Sequence, residues 1–128
     1  MTSTSPTFDA RGLADILDAS SPEQLDALGF GVIGFDAESK VQRYNAFESQ
    51  AAGLSPQRVI GEPLFTNVAP CLNNFMVAQR FEDAIDAASE LDDTIDYVLT
   101  LRMRPVKVKL RLIAGANSAT RYVLVQRR

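Results

Sequence analysis

The chain contains no histidine, no tryptophan and a single cysteine among its 128 residues. Without histidine, His-ligated metal sites, His-ligated haem, Ser-His-Asp triads and Cys-His catalytic pairs are all excluded. One cysteine also excludes an internal disulfide and any cysteine-rich zinc or iron–sulfur site. These absences remove the most familiar catalytic classes and leave the thiol of Cys71 as an isolated reactive group.

The chain also lacks a basic excess and a long apolar run. Thirteen Lys and Arg residues against sixteen Asp and Glu residues give a net charge of −3, so we expect neither a nucleic-acid partner nor a membrane partner. The longest apolar stretch, residues 30–35, is the length of a strand and far shorter than a membrane span. The first residues lack the basic and apolar segments of a secretory signal. The length suits one domain, which we expect to be cytoplasmic with its thiol reduced.

The N-terminal region predicts two short helices. Residues 1–8 are mostly polar, and we expect them to be frayed. Apolar residues recur at helical spacing in residues 9–18, which predicts an amphipathic helix. The segment Ser21-Pro22-Glu23-Gln24 has the pattern of a helix start with a capping box, and this helix should end by Gly29. We refer to residues 1–28 as the N-terminal cap.

The middle of the chain alternates between short strands and helices. Residues 31–36 and 41–44 predict a hairpin, and residues 45–51 a short helix. Residues 76–88 predict the longest helix of the chain. Its expected buried stripe consists of Phe81, Ala84, Ile85 and Ala88.

After residue 91 the apolar residues no longer recur at helical spacing but at every second position. This pattern predicts three strands, the last of which spans residues 121–126. Their connections are too short for crossovers, so the strands must be antiparallel. Lys107, Lys109 and Arg111 alternate with apolar residues, which we interpret as a solvated strand face. The predicted fold is α+β, with a five-stranded antiparallel sheet, helices on one face and the N-terminal cap, and residues 29–128 as the main domain.

Cys71 has two interpretations. A lone cysteine in a globular protein is usually a small buried hydrophobe. Alternatively, its thiolate carries a covalent group, which needs one activation event and a pocket that then excludes water. The chain has no histidine to act as a base for protease-like turnover.

Tyr44 and Glu48 also have two interpretations. They lie four residues apart across a strand-to-helix junction, so both can point into one pocket. However, Asn45-Ala46-Phe47-Glu48 also has the form of a capping box, in which Glu48 reaches back to the backbone. A tyrosine such as Tyr44 is more often a core aromatic whose hydroxyl lies at the rim, so the residues alone favour capping and core packing over a functional role.

With these residues in view, the sequence resembles the photoactive yellow protein family, blue-light receptors with a PAS fold. The most specific motifs are Tyr44-Asn45-Ala46-Phe47-Glu48 and Val68-Ala69-Pro70-Cys71. Further similarity lies in residues 28–33, 59–61, 103–109 and 123–127, and at Tyr97. The resemblance covers almost the whole chain after the first twenty or so residues.

The resemblance implies that Cys71 carries p-coumaric acid (4-hydroxycinnamic acid) as a thioester, and that Tyr44 and Glu48 hydrogen-bond its phenolate oxygen. A buried phenolate needs strong donors to remain ionised. Glu48 can donate only if it is neutral, and burial beside a negative charge favours the neutral form. Isomerisation by light, proton transfer from Glu48 and partial unfolding of the N-terminal cap are the implied response, because an unpaired buried carboxylate is costly.

The resemblance also implies a pocket and shows where this chain departs from the family. Ala52 and Leu54 replace a threonine and an arginine, and Leu64, Leu99 and Leu101 replace aromatics, so we expect a looser pocket and altered absorption and recovery. The residues that we expect to line the pocket are Ile33, Ala52, Leu54, Leu64, Val68, Ala69, Pro70, Leu99, Leu101 and Met103.

Two other functions remain open at this point. The first is a light-insensitive PAS module for ligand binding or dimerisation, and the second is a thiol-dependent acyl-transfer enzyme that uses Cys71. Under the photoreceptor hypothesis we expect no enzymatic turnover, no metal, a downstream signalling protein as partner, and a monomer or weak dimer.

Overall fold

The computed structural model describes residues 7–100, 105–115 and 120–127. The helices are α1 (Leu13–Ala19), α2 (Pro22–Asp26), α3 (Ala46–Ala52), α4 (Pro56–Val59) and α5 (Ala78–Asp86). The strands are β1 (Gly31–Phe35), β2 (Val41–Tyr44), β3 (Leu91–Leu99), β4 (Val106–Ala114) and β5 (Arg121–Arg127). A π-helical turn (Leu64–Val68) and a 3₁₀ turn (Pro70–Leu72) connect α4 to α5.

The five strands form one antiparallel sheet in the order β2-β1-β5-β4-β3. The predicted α+β fold and its antiparallel sheet are confirmed. The central pairing of β1 with β5 places Gly31 opposite Val125 and Ile33 opposite Val123. This pairing joins the first hairpin to the last strand and brings the C-terminal end of β5 close to α3.

The main core lies between the sheet and the segment that runs from α4 to α5. Strands β1, β4 and β5 contribute alternate residues to it, as their period of two requires. Phe81 of α5 packs edge-on against Phe35 of β1, with ring centroids 4.9 Å apart. This side of the sheet carries the expected helices.

Residues 7–28 of the N-terminal cap cover the opposite face of the sheet, and two expectations are corrected there. Phe8 was expected to be frayed, but it is buried, and its ring packs edge-on against that of Phe30 with the ring centroids 5.9 Å apart. Arg111 was expected on a solvated face, but it is only 7% exposed. Its guanidinium forms a forked ion pair with Asp92 and donates to the carbonyls of Phe8 and Ala10. A hydrophobic period of two shows that a strand has an apolar face and a polar face. It does not show whether another part of the chain covers the polar face.

The capping box predicted for α2 is confirmed: the Ser21 hydroxyl accepts from Gln24 N, and the Gln24 side chain accepts from Ser21 N. Helix α5 is shorter than predicted. Phe81 and Ala84 are buried as expected, whereas Ile85 is 46% exposed. Ala88 lies beyond the end of the helix with a φ of 51°, so the buried stripe ends one turn earlier than the sequence indicated.

Candidate functional site

Tyr44 and Glu48 flank the junction where β2 ends and α3 begins. Asn45 lies between them as the N-cap, and its Oδ1 accepts from the Glu48 backbone N–H at 3.1 Å. The capping interpretation of this motif is correct for Asn45. It is wrong for the Glu48 side chain, because the Asn45 backbone N–H donates to the carbonyl of Val32 and the Glu48 carboxylate is bound elsewhere. The Glu48 side chain is therefore available for a role other than capping.

The Asn45 side chain connects this junction to the N-terminal cap. Its Oδ1 also accepts from Val32 N, and its Nδ2 donates to the carbonyls of Leu25 and Phe30, each at 2.9 Å. Asn45 is only 1% exposed, so four hydrogen bonds satisfy an amide that burial would otherwise destabilise. Movement of the first turn of α3 is thus mechanically coupled to the end of α2.

The Glu48 carboxylate forms a forked ion pair with Arg127 of β5. Arg127 Nη1 lies 2.7 Å from Oε1, and Nη2 lies 3.1 Å from Oε2. The Glu48 side chain is 3% exposed and that of Arg127 is 18% exposed. Two parallel N–H···O bonds are the geometry in which guanidinium binds an ionised carboxylate most strongly.

The sequence analysis missed Arg127, although a signal for it was present. Val123, Val125 and Arg127 alternate along β5, and the first two belong to the main core. A period of two therefore directs Arg127 to the same face, at the end of the strand. What the sequence could not show was the pairing with β1, which brings this end of β5 beside Glu48.

Gly31 provides the space that the Glu48 side chain occupies. A Cβ atom at position 31 would overlap the Glu48 carboxylate, whereas one at Gly29 would meet no atom within 4 Å. Glycine is thus required at residue 31 by close packing and not by a turn. The sequence analysis did not identify this role, because a glycine at the start of an apolar strand gives no sign of what packs against it.

The Tyr44 hydroxyl lies within the electrostatic influence of this ion pair. Burial raises the pKa of Tyr44 above its ordinary value, the negative charge of Glu48 raises it further, and the positive charge of Arg127 opposes them. Tyr44 therefore stays protonated at neutral pH and can donate a hydrogen bond to an anion.

Cys71 lies in the 3₁₀ turn; its thiol is free, and the residue is partly exposed. Its carbonyl accepts hydrogen bonds from the Tyr97 hydroxyl and from Asn74 Nδ2. The Asn74 Oδ1 also accepts from the backbone N–H groups of Met76 and Val77. These bonds hold the backbone of Cys71 in place between β3 and the segment that leads into α5.

Many of the predicted pocket residues belong to the main core, as does Tyr44. The main core includes Tyr44, Ile33, Leu64, Val68, Ala69 and Leu99, and both Leu54 and Cys71 pack against it. Ala52 is buried in α3, and Pro70 is exposed. Leu101 and Met103 lie outside the described residues. Cys71 and Tyr44 thus border one apolar cluster, with Glu48 adjacent to Tyr44.

Comparison with known proteins first defines the class. Residues 25–124 match the family model described as PAS fold. Among solved structures, the photoactive yellow protein domain of the sensor histidine kinase Ppr from Rhodospirillum centenum superimposes with a TM-score of 0.81 at 34% identity. This alignment covers 88% of this chain and 98% of that domain.

Curated relatives then define the particular family. Photoactive yellow protein from Rhodothalassium salexigens is 34% identical over 90% of this chain and 88% of its own length. The protein of the same name from Halochromatium salexigens is 32% identical, over 94% of this chain and 95% of its own length. The chain belongs to the photoactive yellow protein family of PAS domains. None of the helices in the described part of the chain has the length and apolar character that a membrane span requires.

Proposed function

We propose that this chain is a blue-light photoreceptor that carries p-coumaric acid as a thioester on Cys71, with Tyr44 and Glu48 hydrogen-bonding the phenolate oxygen. The observation that carries the proposal is the position of three predicted residues relative to the main core. The only thiol of the chain and the Tyr44 ring border the same apolar cluster, and Glu48 is adjacent to Tyr44. Membership of the photoactive yellow protein family supports this assignment.

The residues of the site fit such a ligand. Cys71 is a free cysteine that is neither fully buried nor fully exposed, which is compatible with acylation by an activated ligand. Tyr44 is a protonated donor, and Glu48 lies in a region from which water is excluded, since the residue is 2% exposed. A buried anion needs donors of this kind, because an unsatisfied charge in an apolar environment is neutralised by protonation.

When bound, the ligand supplies visible absorption and a double bond that light isomerises. In the dark state, Glu48 holds a proton on a carboxyl oxygen and donates it in a hydrogen bond to the phenolate. After illumination, Glu48 releases this proton to the phenolate oxygen and becomes a carboxylate. A buried carboxylate without a partner costs several kcal/mol, so the new charge favours movement of the Glu48 side chain into the ion pair with Arg127 that the structure contains.

We further propose that the N-terminal cap loosens in response to this charge. Asn45 connects the first turn of α3, which carries Glu48, to the carbonyl of Leu25 in α2. Helices α1 and α2 have seven and five residues, and helices this short are unstable without tertiary contacts. The cap therefore depends on its contacts with the sheet and with α3, and it loosens when movement of Glu48 disturbs the bonds of Asn45.

The expected output is binding of a signalling protein, with no enzymatic turnover. One relative is a domain of a sensor histidine kinase, which suggests a partner of the signalling class for this chain. A single acylation of Cys71 needs no regeneration of the thiol. We place the protein in the cytoplasm, where the thiol stays reduced until it is acylated.

Loading the purified protein with an activated p-coumaric acid derivative tests the proposal. Intact mass and visible absorption are recorded for the wild type and for Cys71→Ala. The wild type should gain one acyl group and a visible band, and Cys71→Ala should gain neither. A mass adduct without a visible band would contradict the roles of Tyr44 and Glu48, and equal colour in Cys71→Ala would contradict the attachment site.

A further inference from the structure

Glu48 cannot bind Arg127 and the phenolate of the proposed ligand in the same protonation state. The proposed function requires a neutral Glu48 that donates to a phenolate oxygen. In the structure, the same side chain forms a forked ion pair with Arg127, and both carboxylate oxygens act as acceptors. An ionised carboxylate has no proton to donate, so Glu48 must change both its protonation and its partner when the ligand is bound.

Arg127 lies where its positive charge can stabilise either the Glu48 carboxylate or a ligand phenolate. It is mostly buried, with an 18% exposed side chain, so solvent screens its charge only weakly. Its field also reaches the Tyr44 hydroxyl, where it favours the ionised form. A negative charge beside Tyr44 is therefore stabilised by Arg127, whether that charge is on Glu48 or on a ligand oxygen. At the position where the family resemblance places a gatekeeping arginine, this chain has Leu54, which carries no charge.

We propose that Arg127 is the counter-ion of this site: it holds Glu48 as a carboxylate when no ligand is bound, and it balances the charge of the phenolate when the ligand is bound. This inference rests on the proposed function for its second half only. A ligand that arrives as a phenol transfers its hydroxyl proton to a Glu48 carboxylate oxygen. One O–H bond breaks and one forms, so the site keeps one cation and one anion throughout.

The first test uses protein without ligand and does not depend on the photoreceptor assignment. Infrared spectroscopy at neutral pH detects a protonated buried carboxyl group as a C=O stretch, and Glu48→Gln identifies which band belongs to Glu48. The wild type should lack this band, and Arg127→Gln should gain it, because a buried carboxylate without a partner takes up a proton. A Glu48 band in the wild type, or none in Arg127→Gln, would overturn the proposal.

The second test uses protein loaded with the p-coumaroyl group and measures the pH at which half of the visible band is lost. Removing a nearby cation disfavours the phenolate, so in Arg127→Gln this midpoint should rise by about one pH unit or more. Arg127→Lys should restore most of the difference, since it keeps the charge without the fork. Arg58→Gln is the matched control, because Arg58 is an exposed arginine of α4.

The outcomes of the two tests are separable. Equal midpoints in the wild type and Arg127→Gln would overturn the role of Arg127 toward the ligand. A wild type that never becomes coloured would contradict the proposed function, while the infrared test would still decide the pairing with Glu48. Circular dichroism confirms that each variant is folded, and Arg127→Lys keeps the test decisive if Arg127→Gln is unstable.

Discussion

The side-chain amide of Asn45 donates to the carbonyl of Leu25 at 2.9 Å, and this bond joins the helix that carries Glu48 to the N-terminal cap. The same amide oxygen receives the backbone N–H of Glu48. Two segments that are twenty residues apart in sequence thus share one buried polar group. This arrangement gives the cap a direct connection to the candidate site.

Replacing Asn45 by Asp tests that connection. Aspartate keeps the acceptor for the N–H groups of Glu48 and Val32, but it removes both donors and places a charge against two carbonyls. We expect the free energy of unfolding to fall by about 2–4 kcal/mol, with faster hydrogen exchange in residues 13–26. The exposed Asn73 provides the control, since Asn73→Asp should change stability by less than about 0.5 kcal/mol. Unchanged exchange in the cap would contradict the connection.

Arg111 tests how the other end of the cap is attached. Its Nη1 donates to the carbonyls of Phe8 and Ala10 at 2.9 and 2.8 Å. Arg111→Gln should lower the free energy of unfolding by about 2–4 kcal/mol and make residues 7–20 the first site of limited proteolysis. Lys107 is exposed on the same strand, so Lys107→Gln should leave the digestion pattern unchanged. Digestion beginning elsewhere would show that Arg111 does not secure this segment.

Gly31 tests whether Glu48 needs the space beside β1. Gly31→Ala places a methyl group where the Glu48 carboxylate lies, so we expect a loss of about 1–3 kcal/mol and a shifted visible band after loading. Gly29→Ala adds the same methyl group in open space and should behave like the wild type. If the two variants have the same stability and spectrum, the close approach of Gly31 to Glu48 is not required.

Tyr122 gives a prediction of how the stability of the protein depends on pH. Burial and a 2.6 Å hydrogen bond to Asp18 raise the pKa of Tyr122 from 10.0 to about 12. As the pH rises, Tyr122 loses its proton in the unfolded chain before it does so in the folded protein. The contribution of protonated Tyr122 to the stability of the folded state is therefore complete below pH 10 and is lost as the pH rises toward about 12.

Tyr122→Phe should therefore be less stable than the wild type near neutral pH, by about 1 kcal/mol. The difference should shrink above pH 10, because the wild type alone then loses the stabilisation from Tyr122. Urea unfolding at a series of pH values measures both effects. A difference that is constant with pH would show that the pKa of Tyr122 is not raised by folding.

The sequence was sufficient to predict the sheet and to select the candidate residues of the site. The alternation of apolar and polar residues, which is clearest in β3 and in the first half of β4, marks these segments as strands, and this signal is local. The motif around Tyr44 and Glu48 and the lone Cys71 were recognisable for the same reason. The capping box of α2 was also recognisable in the sequence, because Ser21 and Gln24 lie close together along the chain.

The features that were missed depend on contacts between distant segments. Glu48 and Arg127 are 79 residues apart, and only the pairing of β1 with β5 brings them together. The burial of Arg111 depends on Phe8, which is 103 residues away, and no periodicity reports that the cap covers this face. Ile85 was assigned to the buried stripe from helical spacing, but it is 46% exposed although it lies within α5, because no distant segment in the described part of the chain covers that side of the helix end.

The most direct test of the central claim is the response of the loaded protein to blue light. The visible absorption is followed during illumination and then in the dark, for the wild type and for Glu48→Gln. We predict that the wild-type band is lost in light and recovers in the dark, and that Glu48→Gln is coloured at a shifted wavelength with a weaker structural response. A wild-type band that does not respond to light, or a response that is identical in Glu48→Gln, would contradict the account.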